Sequence, residues 1–260
     1  RMGPRRGARR RWLPLSAALS AALARGFNEH VGWALGSADD PAYWDRVYEF
    51  QGARGRDRYE WYGLGYEQLQ GWLRRLLPPP GADVLVVGSG DSELSAELAA
   101  RGWRITSIDF SAAVTEHMSK AYPGMVFLTM DARNTTFKDG SFRAILDKGL
   151  SDCIGTPDER RRYFAELRRV LSPPGRLVVV AQRALEAAED LGAGWDCALR
   201  EELYGPLFFE DSAARPPRPQ PGTEGSVPYH LLGCSHAAAD AEAPATPVAS
   251  GALAEPPLEL

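Results

Sequence analysis

Five short runs dominated by aliphatic residues, at residues 83–87, 104–108, 125–129, 142–146 and 176–181, alternate with segments of helical periodicity. Runs of this kind are stable as strands when both faces of a parallel sheet are covered. The intervening segments supply the cover. Leu94 and Leu98, then Val114, Met118 and Ala121, then Tyr163, Phe164, Leu167, Val170 and Leu171 fall on single helical faces. The last helix starts with Thr156-Pro157-Asp158-Glu159, a capping box with proline at the first helical position. This order predicts an α/β fold with a doubly wound, mainly parallel, Rossmann-like sheet. Leu69, Trp72, Leu73, Leu76 and Leu77 predict an N-terminal helical extension, and residues 195–204 and 227–234 predict two further strands joined through a Pro-rich loop at 212–226.

With 260 residues, 44% apolar and 25% charged, the chain is long enough for one large domain, and its composition excludes collagen, coiled coil and wholesale disorder. The domain is expected over 39–236. Residues 1–38 carry seven arginines against one acid, Glu29, which leaves the remainder at a net charge of −10. Such an Arg-rich start suits a plain extension, an organelle transit peptide or a secretory signal. Residues 237–260, dominated by Ala, Pro and Glu with no aromatic, read as a disordered tail. The expected location is cytoplasmic, with a mitochondrion or plastid as the alternative through the leader. An acidic pI near 5.7 argues against a nucleic-acid partner, and no apolar run of eighteen residues exists to span a bilayer. Cys153, Cys197 and Cys234 are too few and too scattered for a disulfide scaffold or metal site, so they read as reduced thiols.

In doubly wound sheets, ligands bind at the carboxyl ends of the strands. The first run ends in Gly88-Ser89-Gly90-Asp91-Ser92, where two glycines let backbone approach a ligand; a tight structural turn is the competing reading. Glu93 stands where a dinucleotide fingerprint wants a third glycine, and its charge would repel a pyrophosphate. The second run ends in Asp109, suited to both hydroxyls of a ribose or to a helix N-cap. After the third come Asp131 and Ala132, able to receive an adenine amino group, and after the fourth Asp147-Lys148-Gly149. No G-x-x-x-x-G-K-[ST] or G-x-S-x-G motif occurs, and His30, His117, His230 and His236 lack zinc spacing. Together these features point to an adenosine ligand without phosphates, best matched by S-adenosylmethionine, and to no metal.

Residues 84–95 (VLVVGSGDSELS), 107–111 (SIDFS), 137–142 and 146–149 (LDKG) resemble the class I, seven-strand methyltransferases. Residues 43–48 (YWDRVY) and 59–63 (YEWYG) narrow the resemblance to the branch of lysine methyltransferases acting on translation elongation factor 1-alpha. By that resemblance, Trp44, Tyr48 and Trp61 would line the cofactor pocket, with Gly88 beneath the methionine part and Gly90 also among the cofactor-binding residues. Asp109 and Phe110 would hold ribose and adenine, Asp131 and Ala132 the adenine edge, and Lys148 the cofactor side of the fourth loop. Two departures stand out: Ser89 replaces a usual cysteine, and residues 150–153 read Leu-Ser-Asp-Cys where the family continues Thr-Leu-Asp-Ala.

The expected reaction is methyl transfer to a lysine amine of a protein such as elongation factor 1-alpha, achieved by positioning and electrostatics. Asp147 is the candidate for orienting the amine, with Asp152 second; both are also readable as structural carboxylates. Three alternatives remain at this level. They are a small-molecule methyltransferase, a non-catalytic binding protein on the same fold, and a nicotinamide dehydrogenase, the last disfavoured by Glu93.

Overall fold

The computed structural model describes residues 38–53, 58–206 and 226–236. The leader other than Ala38, residues 212–225 of the Pro-rich loop, and the tail at 237–260 lie outside the described residues. Helix α1 (Pro41–Ala53) is followed by a 3-10 turn (Trp61–Gly63) and helix α2 (Tyr66–Leu76). Then come β1 (Asp83–Val87), α3 (Leu94–Ala99), β2 (Arg104–Asp109), α4 (Ala112–Ala121), β3 (Val126–Thr129) and β4 (Phe142–Lys148). The chain continues through α5 (Leu150–Cys153), α6 (Pro157–Val170), β5 (Leu171–Ala181), a π-helical turn (Ala187–Leu191), β6 (Trp195–Pro206) and β7 (Ser226–His236).

The seven strands form one sheet in the order β3-β2-β1-β4-β5-β7-β6, with β7 antiparallel to both neighbours and the remaining pairings parallel. The order in which strands are laid down reverses at β1, which pairs in parallel with β2 on one side and β4 on the other. A crevice opens at such a switch point, so the topology places the site before any side chain is considered.

Alternation explains why the strands read as unbroken apolar runs. Val84 and Val86 pack with Leu69 and Leu73 of α2 and Leu98 of α3. Leu85 and Val87 face the other way, into a core shared with Tyr163, Phe164 and Leu167 of α6. Both layers are completely closed around β1, β4 and β5, where Leu85, Val87, Ile145, Leu146, Val178 and Val179 have no exposed surface. The expected capping box forms: Thr156 Oγ1 accepts from the Glu159 amide, and the Glu159 carboxylate accepts from the Thr156 amide. Arg160 and Asp190 form a buried ion pair, and Arg160 also donates to the carbonyls of Ile154 and Gly155. That network ties the π-helical turn to the start of α6.

Two expectations are corrected. Coverage on both faces fails at β3, where Phe127 packs on Val114 and Met118 of α4 while Val126 and Leu128 stay exposed, because β3 is an outer strand with a helix on one side. Cys197 and Cys234 are not thiols but a disulfide, across 37 residues of sequence. Antiparallel pairing of β6 with β7 shifts register between Asp196 and Leu199, and this brings Cys197 beside Cys234. Spacing along the chain carries no trace of that juxtaposition. Cys153 remains a free thiol.

Candidate active site

A cleft enclosing about 930 Å³, including its open mouth, lies over the carboxyl ends of β1, β2 and β4. The sheet supplies its floor through Gly88, Asp109 and Phe110, then Met130 to Arg133, then Lys148 to Leu150. Gly88 has φ +56°, and a Cβ there would stand 2.8 Å from Leu150 Cβ, so glycine keeps this floor open. The roof comes from the N-terminal segments. Asp45 on α1 accepts from Ser111 Oγ at 2.5 Å and from the Ala113 amide at 3.1 Å, fastening α1 to the start of α4. Its neighbours Trp44 and Tyr48, one helical turn apart, thereby face the cleft, and Trp61 meets Trp44 edge to face at 5.7 Å.

Asp109 is buried at the β2 end, where its two oxygens accept from the Gly90 and Ser111 amides, each at 3.0 Å. Burial pushes its carboxyl up to about 6 against these hydrogen bonds, so it is ionised above neutrality. At the β4 end, Asp152 accepts from the Tyr62 hydroxyl at 2.5 Å and from the Gln182 and Arg183 amides at 2.6 and 3.1 Å. Burial raises Asp152 too, with those hydrogen bonds opposing it. The cleft's two cations are already matched. Lys148 pairs with Glu60 and donates to the Trp61 carbonyl, while Arg133 forms a two-pronged pair with Asp131. The wall is therefore aromatic and acidic, suited to a cationic ligand with a planar ring.

Of the residues singled out from sequence, Trp44, Tyr48, Trp61, Gly88, Asp109, Phe110, Asp131, Ala132 and Lys148 all line this one cleft. Two corrections stand beside them. Gly90 does not line it: its φ is +53°, a Cβ there would meet the Tyr48 hydroxyl at 2.8 Å, and its amide serves Asp109. Asp147 does not reach the cleft either. It is fully buried, accepting from Tyr163 Oη at 2.9 Å and from the Leu150 and Ser151 amides, because a side chain at that position of β4 points into the α6 layer. Burial pushes its carboxyl up to about 7. Asp152, the second candidate, does line the cleft.

Glu93 sits outside it, paired with Arg58. Tyr62 falls in the aromatic run at 59–63, but its role depends on a backbone turn that side-chain types do not announce. Glu60, the counter-ion of Lys148, has as its only signal in the sequence an acid within that aromatic motif. Among the described residues, no group of three or more His, Cys, Asp or Glu is placed to hold a metal ion, and no helix is long and apolar enough to cross a membrane.

Residues 85–179 match a family described as a methyltransferase domain. The chain is 36% identical over 181 residues to the eEF1A lysine and N-terminal methyltransferase of Xenopus laevis, a match covering 64% of this chain and 25% of that protein. It is 32% identical over 187 residues to EEF1A lysine methyltransferase 4 of Bos taurus, covering 64% of this chain and 71% of that protein. It thus spans about a quarter of the first relative and most of the second. Among solved structures, the Burkholderia thailandensis 1,6-didemethyltoxoflavin-N1-methyltransferase with bound S-adenosylhomocysteine superposes with a TM-score of 0.53 at 16% identity. That match covers 79% of this chain and 93% of the other, and shows a shared fold.

Proposed function

This chain belongs to the class I S-adenosylmethionine-dependent methyltransferases, and we propose that within the family it methylates a lysine amine of a protein, translation elongation factor 1-alpha being the first substrate to try. The observation that carries this reading is the cleft itself, in which an aromatic roof and an acidic wall meet over a glycine floor at the switch point of the sheet. The relatives' names support the choice of protein lysine as acceptor.

The residues present fit the cofactor. Gly88 leaves a cradle that a Cβ would fill. Asp109, ionised and held by two amides, is a rigid acceptor for a pair of hydroxyls, and Phe110, Met130 and Ala132 offer apolar surface for an adenine. Trp44, Tyr48 and Trp61 line the cleft with aromatic rings, whose faces attract a sulfonium cation. When bound, S-adenosylmethionine supplies an electrophilic methyl group. The chain's task is to bring an amine into line, exclude water and keep neighbouring charge fixed. Fixed charge is achieved by the Lys148–Glu60 and Arg133–Asp131 pairs, which leave both cations neutralised within the wall. Cytoplasmic residence belongs to the same proposal, and imaging the full chain tests it.

Calorimetry with S-adenosylhomocysteine is the direct test, followed by transfer of labelled methyl to unmethylated elongation factor 1-alpha. Wild type should bind at micromolar concentration. Asp109→Ala should lose about 30-fold, as expected for removing a charged acceptor from two hydrogen bonds. An unchanged affinity in that variant would remove the ribose assignment. Label entering only low-molecular-weight material would transfer the reading to a small-molecule acceptor.

A further inference from the structure

Tyr62 has φ +66° and is the one non-glycine residue among those described with a positive φ. That conformation is strained for a side-chain-bearing residue, and strain of this kind persists where surrounding contacts enforce it. The contacts here are specific. The Tyr62 ring packs on Tyr229 of β7 with centroids 4.4 Å apart, and its hydroxyl donates to Asp152 Oδ2 at 2.5 Å. Gly149, at φ +92°, makes the room: a Cβ there would lie 2.9 Å from the Tyr62 hydroxyl. Two backbone amides beyond β5, those of Gln182 and Arg183, fix the same carboxylate from the other side. Two distant stretches of chain, at 62 and 182–183, thus hold one carboxylate facing the cleft, and a third, at 229, backs the Tyr62 ring.

The position of that carboxylate decides what it faces. Contacts suited to the cofactor lie after β1, β2 and β3, whereas Asp152 follows β4, on the opposite side of the switch point. We infer that Asp152 is the acceptor-binding carboxylate, receiving an N–H of the incoming amine, and that Tyr62 is the positioning residue that aims it. The inference rests on the lysine reading above and assigns its acceptor side. Lysine recognition then consists of a carboxylate held by one phenol and two amides, reached past the aromatic roof. Burial holds the Tyr62 phenol well above its ordinary value, so it donates at all physiological pH. Asp147, five residues earlier in sequence, has no such access; it braces the turn that carries Asp152 through the Leu150 and Ser151 amides.

The test uses n-butylammonium, the lysine side chain without its backbone, titrated into the full chain loaded with S-adenosylhomocysteine. Binding is read by fluorescence of the cleft tryptophans, with butan-1-ol as the neutral control. Wild type should prefer n-butylammonium by tenfold or more; Asp152→Asn should abolish that preference; Tyr62→Phe, which keeps the ring and its packing, should reduce it severalfold. In both variants the affinity for S-adenosylhomocysteine should stay within twofold of wild type, and with elongation factor 1-alpha as substrate kcat should fall more than KM rises. If Asp152→Asn unfolds, Tyr62→Phe decides alone. An unchanged preference in a folded variant overturns the inference and leaves the lysine reading standing. A wild-type chain that binds S-adenosylhomocysteine yet does not distinguish n-butylammonium from butan-1-ol overturns both.

Discussion

At the β2 end of the cleft, Asp109 is held by amides from Gly90 and Ser111, one just past the neighbouring strand and the other two residues ahead; at the β4 end, Asp152 is held by Tyr62, Gln182 and Arg183, ninety and thirty residues away. Both carboxylates are buried or nearly so, and both are raised by desolvation. They differ in where the constraint comes from. The first is fixed by adjacent parallel strands, a geometry intrinsic to the sheet. The second depends on an N-terminal turn in a strained conformation and on the antiparallel strands that back it. One end of the site is thus as robust as the fold, and the other can be altered without touching the first.

The strongest challenge to that contrast comes from the distal hairpin. Replacing Cys197 and Cys234 by serine releases a cross-link spanning 37 residues, for which loop entropy predicts a loss of about 3 to 4 kcal/mol. Denaturant unfolding should show that loss while affinity for S-adenosylhomocysteine holds within twofold. A matching drop in affinity would show that the Asp109 end also leans on β6 and β7. Next in size is Asp147→Asn, which turns a buried acceptor of three hydrogen bonds into a group with one oxygen and an amide facing donors. Stability should fall by about 2 kcal/mol, again without loss of ligand affinity. Full stability combined with weakened S-adenosylhomocysteine binding would place Asp147 in contact with ligand after all.

The smallest effect is the pH response, and it sharpens the comparison. Since only ionised Asp109 accepts two hydroxyls well, affinity for S-adenosylhomocysteine should rise about tenfold between pH 5 and 7 and then level off, following a carboxyl near 6. Stability of the ligand-free chain should run the other way. Asp109, Asp91 and Asp147 are raised by burial to about 6, 7 and 7, so the folded state keeps protons that the unfolded chain has released. Their contribution is complete below about pH 4 and is lost as pH rises through 6 to 7. Asp109→Asn should flatten the binding curve and remove part of the stability slope. A binding curve unaltered by that variant would assign the titration elsewhere.

Much of this architecture was legible along the chain. Apolar runs closed on both faces gave β1, β2 and β4 within two residues of their ends, and the capping box located the start of α6, because strand burial and helix capping are local demands on side-chain type and spacing. Gly88, Asp109, Phe110, Asp131 and Ala132, after β1, β2 and β3, were legible for the same reason: a doubly wound sheet fixes which strand ends open on the crevice. The order of β7 between β5 and β6, the Cys197–Cys234 bond, the exposed face of β3, the inward turn of Asp147 and the strained Tyr62 were not. Each depends on which distant segments are brought into register or into a shared layer, and neither composition nor periodicity encodes a meeting between residues thirty or ninety positions apart. What the sequence determined alone was a doubly wound sheet with an adenosine-competent rim. Tertiary packing decided which of two nearby carboxylates, Asp147 or Asp152, faces the cleft, because the turn after β4 buries one beneath α6 and leaves the other at the wall.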